Sequence, residues 1–405
     1  MRYIPSRKIL DKYSHVLVNF ALGGGKGIRR GDVVYLVAYE CAKPFYMALR
    51  RTILKSGGHV ISDYRPSSDD EHKVEKEFYI HADDQQIEFF PAKYMRGLID
   101  EVDHMILIIS ETDKEALKGI EPKKIMKRGI AFKPYMDWRN EKENKGKFTW
   151  TLALYGTPQM AREAGLTERE YWKQIERACF LNNKNPVRKW REVYRKLERY
   201  RQKLNSMPIE SLHIKGPDAD LTIKLGDQRR WMGGSGRNIP SFEIFTSPDW
   251  RGTNGWIRFN QPLYRYGHLV TGIKLEFKNG KVVRGSARRN KRVLKEMIAA
   301  PNADKVGEFS MTDKRFSHIS KFMAETLYDE NIGGREGNCH IALGNSYHDC
   351  YNGDPSKVSK SRWRKLGFND SSVHTDIIST ASRTITAYLK DGTSRIIYEN
   401  GRYQF

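Results

Sequence analysis

Cysteine is scarce in this chain. There are four in 405 residues, Cys41, Cys179, Cys339 and Cys350, and none stands in CxxC spacing. That excludes a disulfide framework, argues against a zinc ribbon or a redox pair, and fits a reducing, cytoplasmic setting. Long apolar runs are missing too, and no window approaches the ~20 residues that a membrane-spanning helix needs. The first twenty residues carry Arg2, Arg7, Lys8, Asp11 and Lys12 without an apolar core, so no secretory signal is expected. Internal repeats and low-complexity tracts are likewise absent. Acidic residues are in deficit, 49 Asp+Glu against 71 Lys+Arg, a formal charge of +22. The cations are dispersed instead of gathered in a tail, so solvated faces are the expectation; attraction to nucleic acid or acidic substrates is the competing one.

What is present reads as two domains, because 405 residues exceed one ordinary core. Residues 32–39 form a near-continuous apolar run with β-branched and aromatic members, as in a buried parallel strand. A helix with Phe45, Met47, Ala48, Leu49, Ile53 and Leu54 as its apolar face follows, Gly57-Gly58 stops it, and residues 59–64 and 104–110 supply two more strands. These predict a Rossmann-like α/β domain over residues 1–207. A strand over 148–155, a helix capped by Thr167 with Glu170 three residues on, and a basic helix over 187–205 complete it. Gly23 to Gly27 precedes the first strand and lacks the Ser/Thr of a phosphate loop, so it is read as a turn. From Ser211 the texture changes to short alternating segments over 212–214, 220–225 and 269–277, with hairpin turns at Asn279-Gly280 and Asp391-Gly392. A β-rich α+β domain over 208–405 is expected, with helices over 293–300 and 318–328.

The chemistry centres on Val373-His-Thr-Asp-Ile377. In an extended segment His374 and Asp376 point the same way, which makes half a metal site. Upstream lie Glu243 between Phe242 and Ile244, Glu308 after Gly307, and His340 with Tyr347. An unpaired carboxylate is expensive to bury among apolar neighbours, so a cation partner is expected for both glutamates. Together these are three carboxylates, two imidazoles and a phenol, a nitrogen and oxygen set that suits zinc, cobalt or manganese. Taken singly, each is as well explained as a surface group, and His374 with Asp376 as an imidazole hydrogen-bonded to a carboxylate.

The order Glu243, Glu308, Thr326-Leu-Tyr-Asp-Glu-Asn331, His340-Ile-Ala-Leu-Gly344, Tyr347 and His374-Thr-Asp376 resembles the thermophilic aminopeptidase family of metallopeptidases, the aminopeptidase T type. Weaker echoes, such as Thr151-Leu-Ala-Leu-Tyr-Gly-Thr-Pro158, extend it over most of the chain. The resemblance implies a metalloaminopeptidase with two divalent ions per chain, peptide substrates and a homodimer. It implies Glu243, Glu308, His340, His374 and Asp376 as metal ligands. Glu308 bridges the ions or accepts the water proton, and Tyr347 either ligates metal or donates to the oxyanion. Asp329 and Glu330 are read as loop-ordering groups, His268, His318 and His348 as surface or supporting groups, and Cys339 and Cys350 as small apolar fillers. Two departures stand out: Phe242 directly before Glu243, where the family has glycine, and an elongated stretch over 331–338. The competing classes are a nucleic-acid-binding protein or metal-dependent nuclease, and a catalytically silent peptide binder. The ligand set is Glu-rich and the basic helix lies in the other domain, so neither nucleic acid nor membrane is expected as a partner.

Overall fold

A computed structural model describes residues 3–69, 71–234 and 236–405. The apolar runs of the first half do form parallel strands, Val33–Tyr39, His59–Arg65, His104–Ile109 and Thr149–Leu154. They lie in the spatial order second, first, third, fourth, and a short fifth strand, Asn238–Ile239, joins the fourth from beyond residue 207. Helices Lys43–Lys55 and Ala92–Glu101 lie in the connections between them. The capping box predicted at Thr167 and Glu170 is present and starts the helix Glu168–Ala178. The glycine-rich turn is tied down by the Gly23 N–H, which donates to the Thr149 hydroxyl at 3.0 Å.

The second half builds two large antiparallel sheets and a small two-stranded ribbon. One has eight strands, running in order from Lys281–Ser286 through Lys274–Lys278, Asn254–Arg258, Ala219–Lys224, Ile209–Gly216, Thr384–Leu389 and Ser394–Glu399 to Arg402–Tyr403. The other has five: His374–Ser379, Asn338–Gly344, Val306–Thr312, Glu243–Thr246 and Met232–Gly233. One apolar core runs through both halves. Phe242 shows how it ties them, stacking on Trp190 of the helix Pro186–Ser206 at 5.3 Å and meeting Phe180 edge-on. The same helix spends its other aromatics on packing, Tyr194 against Phe20 and Tyr200 against Phe316, Tyr403 and Phe405, while Arg188, Arg191, Arg195 and Arg199 are exposed. No helix among the described residues is long and apolar enough to cross a membrane.

Two expected elements come out differently. The helix predicted over 318–328 is a loop with a single turn, Thr326–Asp329. Side chains take its backbone donors: the Asp329 carboxylate accepts from the Met323 and Glu325 N–H groups at 2.7 and 2.9 Å, and Gln174 accepts from Ser320 N–H at 3.2 Å. The strand expected over 269–277 is broken. His268–Val270 pairs with Leu263–Arg265 in a separate ribbon, while Lys274–Lys278 joins the large sheet.

Candidate metal centre

The five-stranded sheet carries every candidate ligand except Tyr347, on four neighbouring strands. Ala342 opposes both Asp376 and Glu308, Gly344 opposes His374, Ser310 opposes His340, and Thr312 opposes Glu243. Because side chains alternate along a strand, this register sends His374, Asp376, His340, Glu308 and Glu243 out of one face. Two glycines permit the approach. The ladder slips between Val306 and Glu308, and a Cβ on Gly307 would lie 2.2 Å from the Asn345 carbonyl oxygen. Gly344 sits at φ +105°, and a Cβ there would lie 2.0 Å from the Val373 carbonyl oxygen, so only glycine lets this strand close on His374.

The His340 Nε2 lies 3.4 Å from a Glu243 oxygen, 3.4 Å from a Glu308 oxygen and 3.8 Å from an Asp376 oxygen. His374 Nε2 lies 3.6 Å from the other Glu308 oxygen and 3.5 Å from Asp376. These separations are long for hydrogen bonds, which run roughly 2.7–3.2 Å. They match the spacing of about 3.4 Å between two donors each ~2.1 Å from one tetrahedral ion. Three overlapping sets have donor atoms within 4.8 Å of one another: Glu243, Glu308 and His340; Glu308, His374 and Asp376; Glu330, His340 and Asp376. Glu308 belongs to two of them.

Neighbouring groups orient these side chains. The Asn345 carbonyl can only accept, so His374 donates its Nδ1–H to it at 2.9 Å, which makes Nε2 the atom turned to the carboxylates and the one available to a metal once it is deprotonated. The Ser310 hydroxyl donates to Glu243 at 2.7 Å, and Asn238 and Asn331 donate to Glu330 at 3.0 and 3.3 Å. The His340 Nδ1 is buried with no protein partner among the described residues. Tyr347 is set by its backbone N–H on the Ser247 hydroxyl at 2.8 Å, and its ring meets the His374 ring edge-on at 4.9 Å. The groups close a cavity of about 40 Å³, with Trp150 and Arg237 in its wall. Arg237 is itself ion-paired to Glu143 and Asp349.

Burial and like charge strain this cluster. Desolvation pushes Glu243 up to about 7, with Glu308 and Asp376 adding to it. It pushes Glu330 well above the ordinary carboxyl range, helped by the same three carboxylates. Desolvation lowers both histidines, yet the surrounding carboxylates outweigh it and raise His340 and His374 to about 9. Asp376, whose burial acts the other way, is held down to about 2 by His374 and then His340. Burial, then Glu308 and Asp376, keep the Tyr347 phenol protonated well above its usual range. Four carboxylates against two imidazoles, almost shut from water, is a balance that divalent cations close, and the donor set fits such ions.

All six sequence candidates therefore meet at one place. Glu330, read from sequence as a loop-ordering group, also reaches into the cluster; its signal was its place in Asp-Glu-Asn. Arg237 and Trp150 had no signal at all. His348 stacks on Trp363 at 4.1 Å and His318 packs edge-on to Phe180, so neither reaches the cluster. Cys339 and Cys350 are buried and unpaired, as fillers would be.

Comparison with known proteins agrees with this geometry. Residues 6–403 match the family described as thermophilic metalloprotease (M29). Aminopeptidase PepS of Streptococcus thermophilus is 27% identical over 97% of this chain and 97% of its own length. Aminopeptidase T of Thermus thermophilus is 30% identical over 73% of this chain and 76% of its own. The solved structure of wild-type AmpT from Thermus thermophilus superposes with a TM-score of 0.81 at 24% identity, covering 98% of this chain and 100% of that one. It shares the mixed α/β fold, with one parallel and several antiparallel sheets. A family match spanning nearly the whole chain, together with a carboxylate and imidazole cluster built on one sheet face, places this chain in the thermophilic metalloprotease (M29) family.

Proposed function

We propose that this chain is a metal-dependent aminopeptidase that removes N-terminal residues from peptides, using two divalent ions, zinc, cobalt or manganese. The observation that carries the reading is Glu308, shared between one donor set containing His340 and another containing His374. Glu243, Glu308 and His340 would hold one ion and Glu308, His374 and Asp376 the other, with Tyr347 beside them. Ions bound there would supply a Lewis acid for the scissile carbonyl and lower the pKa of a bound water towards neutrality. By the resemblance Glu308 bridges the ions or, with one oxygen free of them, takes the proton of the attacking water and returns it to the leaving amine as the peptide C–N bond breaks. Tyr347 enters the reaction as a protonated phenol, able to donate to the developing oxyanion. Ions held at this centre would also anchor the free α-amine of a peptide, which is what selects for an unblocked N-terminus. Trp150 and Arg237 in the cavity wall exclude bulk water.

The rest of the reading follows the family resemblance. Residues 1–207 are a Rossmann-like supporting domain and 208–405 the catalytic domain; the protein is a cytoplasmic homodimer. Four unpaired cysteines support the reducing compartment. Elemental analysis, combined with turnover of paired unblocked and N-acetylated peptides, tests the function. Two metal equivalents per chain and cleavage of the unblocked peptides alone are expected. Metal-free turnover, or equal cleavage of both peptide sets, overturns it.

A further inference from the structure

A cavity of about 820 Å³ opens at the carboxyl edge of the parallel sheet, and it shares no lining residue with the cavity at the carboxylate and imidazole cluster. Its floor is where Val33–Tyr39 and His104–Ile109 lie side by side while the strand His59–Arg65 lies on the far side of the first. The chain leaves those two central strands in opposite directions, and in open parallel sheets this opens a crevice that ligands occupy. Tyr264, Arg265 and Tyr266 of the second half form the facing wall. The volume lies within the roughly 300–1,000 Å³ of small-molecule sites.

Two buried polar atoms here lack a hydrogen-bond partner among the described residues. Ser110, directly after the third strand, is 4% exposed, and its hydroxyl has no hydrogen-bond partner among the described residues. The Arg265 Nε is buried and also unpartnered, while its guanidinium lies over the Tyr266 ring at 4.7 Å. A buried polar group left unpaired is costly, so each marks a place for a ligand atom. The acids lining the same cavity are already engaged: Glu111 with Lys114, Asp113 with Lys73 at 3.0 Å, and Glu75 with the Tyr39 hydroxyl at 3.3 Å. What remains open is a cation, a hydroxyl and an apolar wall of Leu117, Ile125 and Met126.

We propose that this cavity is a second ligand site, for an organic carboxylate of short-peptide size that sets its carboxylate on Arg265, a polar atom on Ser110 and its apolar body against that wall. The lining favours a carboxylate over a phosphate. Glu75, Glu111 and Asp113 disfavour a doubly charged group, and no glycine-rich turn follows the first strand to cradle one with backbone N–H groups. The proposal stands independently of the metal centre.

Calorimetric titration of the full chain tests it with four probes: an N-acetylated trileucine acid, which acetylation protects from cleavage, its C-terminal amide, inorganic phosphate and a mononucleotide. The acid is expected to bind one per chain and the amide roughly tenfold more weakly, since the charged hydrogen bond to Arg265 is lost. Arg265→Gln and Ser110→Ala each weaken the acid. Gly129→Leu, where a Cβ meets no atom within 4 Å, fills the cavity and abolishes binding. Turnover of an unblocked peptide should stay within about twofold in all three, which also reports folding. Equal binding of acid and amide, tighter binding of phosphate or nucleotide, no binding of the acid, or an affinity unmoved by the variants that fold overturns the proposal.

Discussion

Loading metal into this centre must expel protons, and the number is countable. His340 and His374, ringed by carboxylates, titrate at about 9 in the metal-free chain. At pH 7 a group of that pKa is protonated roughly 99 times in 100, and a ligating imidazole must be neutral. Each histidine therefore gives up about one proton. Glu243, titrating at about 7, is half protonated at that pH and adds roughly half a proton more. The expected release from these three groups is about 2.5 protons per chain at pH 7, with the raised Glu330 carboxyl adding to it where that group also ligates, and it falls steeply towards pH 10 as the histidines deprotonate. Calorimetric titration of apo protein with zinc in buffers of different ionisation enthalpy measures it, because the heat per injection then varies linearly with proton release. One ion per chain would release about one to 1.5 protons, so the slope also counts occupied sites. Release below one proton at pH 7, or a value unchanged at pH 9.5, refutes the charge assignment of the cluster.

Glu308→Gln keeps the side-chain volume and should cost turnover at least a hundredfold while the melting temperature of the metal-free protein holds; activity within about tenfold of wild type removes Glu308 from proton transfer. The metal-free protein should lose stability as pH rises from 6.5 to 9: raised histidine pKa values stabilise the fold below the unfolded value of 6.5, and the gain is gone once the folded groups deprotonate near 9. The loss, of order 3 kcal/mol for one imidazole, is read from denaturant midpoints, and saturating metal should remove the trend. Gly344→Ala forces a Cβ to 2.0 Å from the Val373 carbonyl and should destabilise by several kcal/mol, with metal affinity falling too; an unchanged thermal melt would show that the strand has room to move. Nucleic acid binding, followed by fluorescence anisotropy at two salt concentrations, should vanish near physiological salt, because the aromatics of the helix Pro186–Ser206 are spent on packing; submicromolar binding abolished by changing Arg188, Arg191, Arg195 and Arg199 to Gln reverses that expectation.

Local rules reached far into this fold. The apolar runs at Val33–Tyr39 and His104–Ile109, short and rich in β-branched residues, favour buried strands, and Thr167 with Glu170 makes its capping box within four residues, so each is set by neighbours in sequence. The two-residue spacing of His374 and Asp376 placed both on one strand face for the same reason. The loop over 318–325 escaped, because what undoes the helix is Asp329 and the distant Gln174 capturing its backbone donors.

The sequence by itself determined the ligand chemistry, the strand that carries His374 and Asp376, and the need for a cation near carboxylates embedded in apolar segments. Tertiary structure alone decided that four strands lie in the register that turns Glu243, Glu308, His340 and Asp376 towards a common point. It alone brought Glu330 in as a further donor and set Arg237 and Trp150 in the wall. The reason is physical: side-chain alternation acts between adjacent residues, whereas cross-strand register, a bulge at Gly307 and the 2.0 Å clearance at Gly344 exist only once separate segments have been packed together.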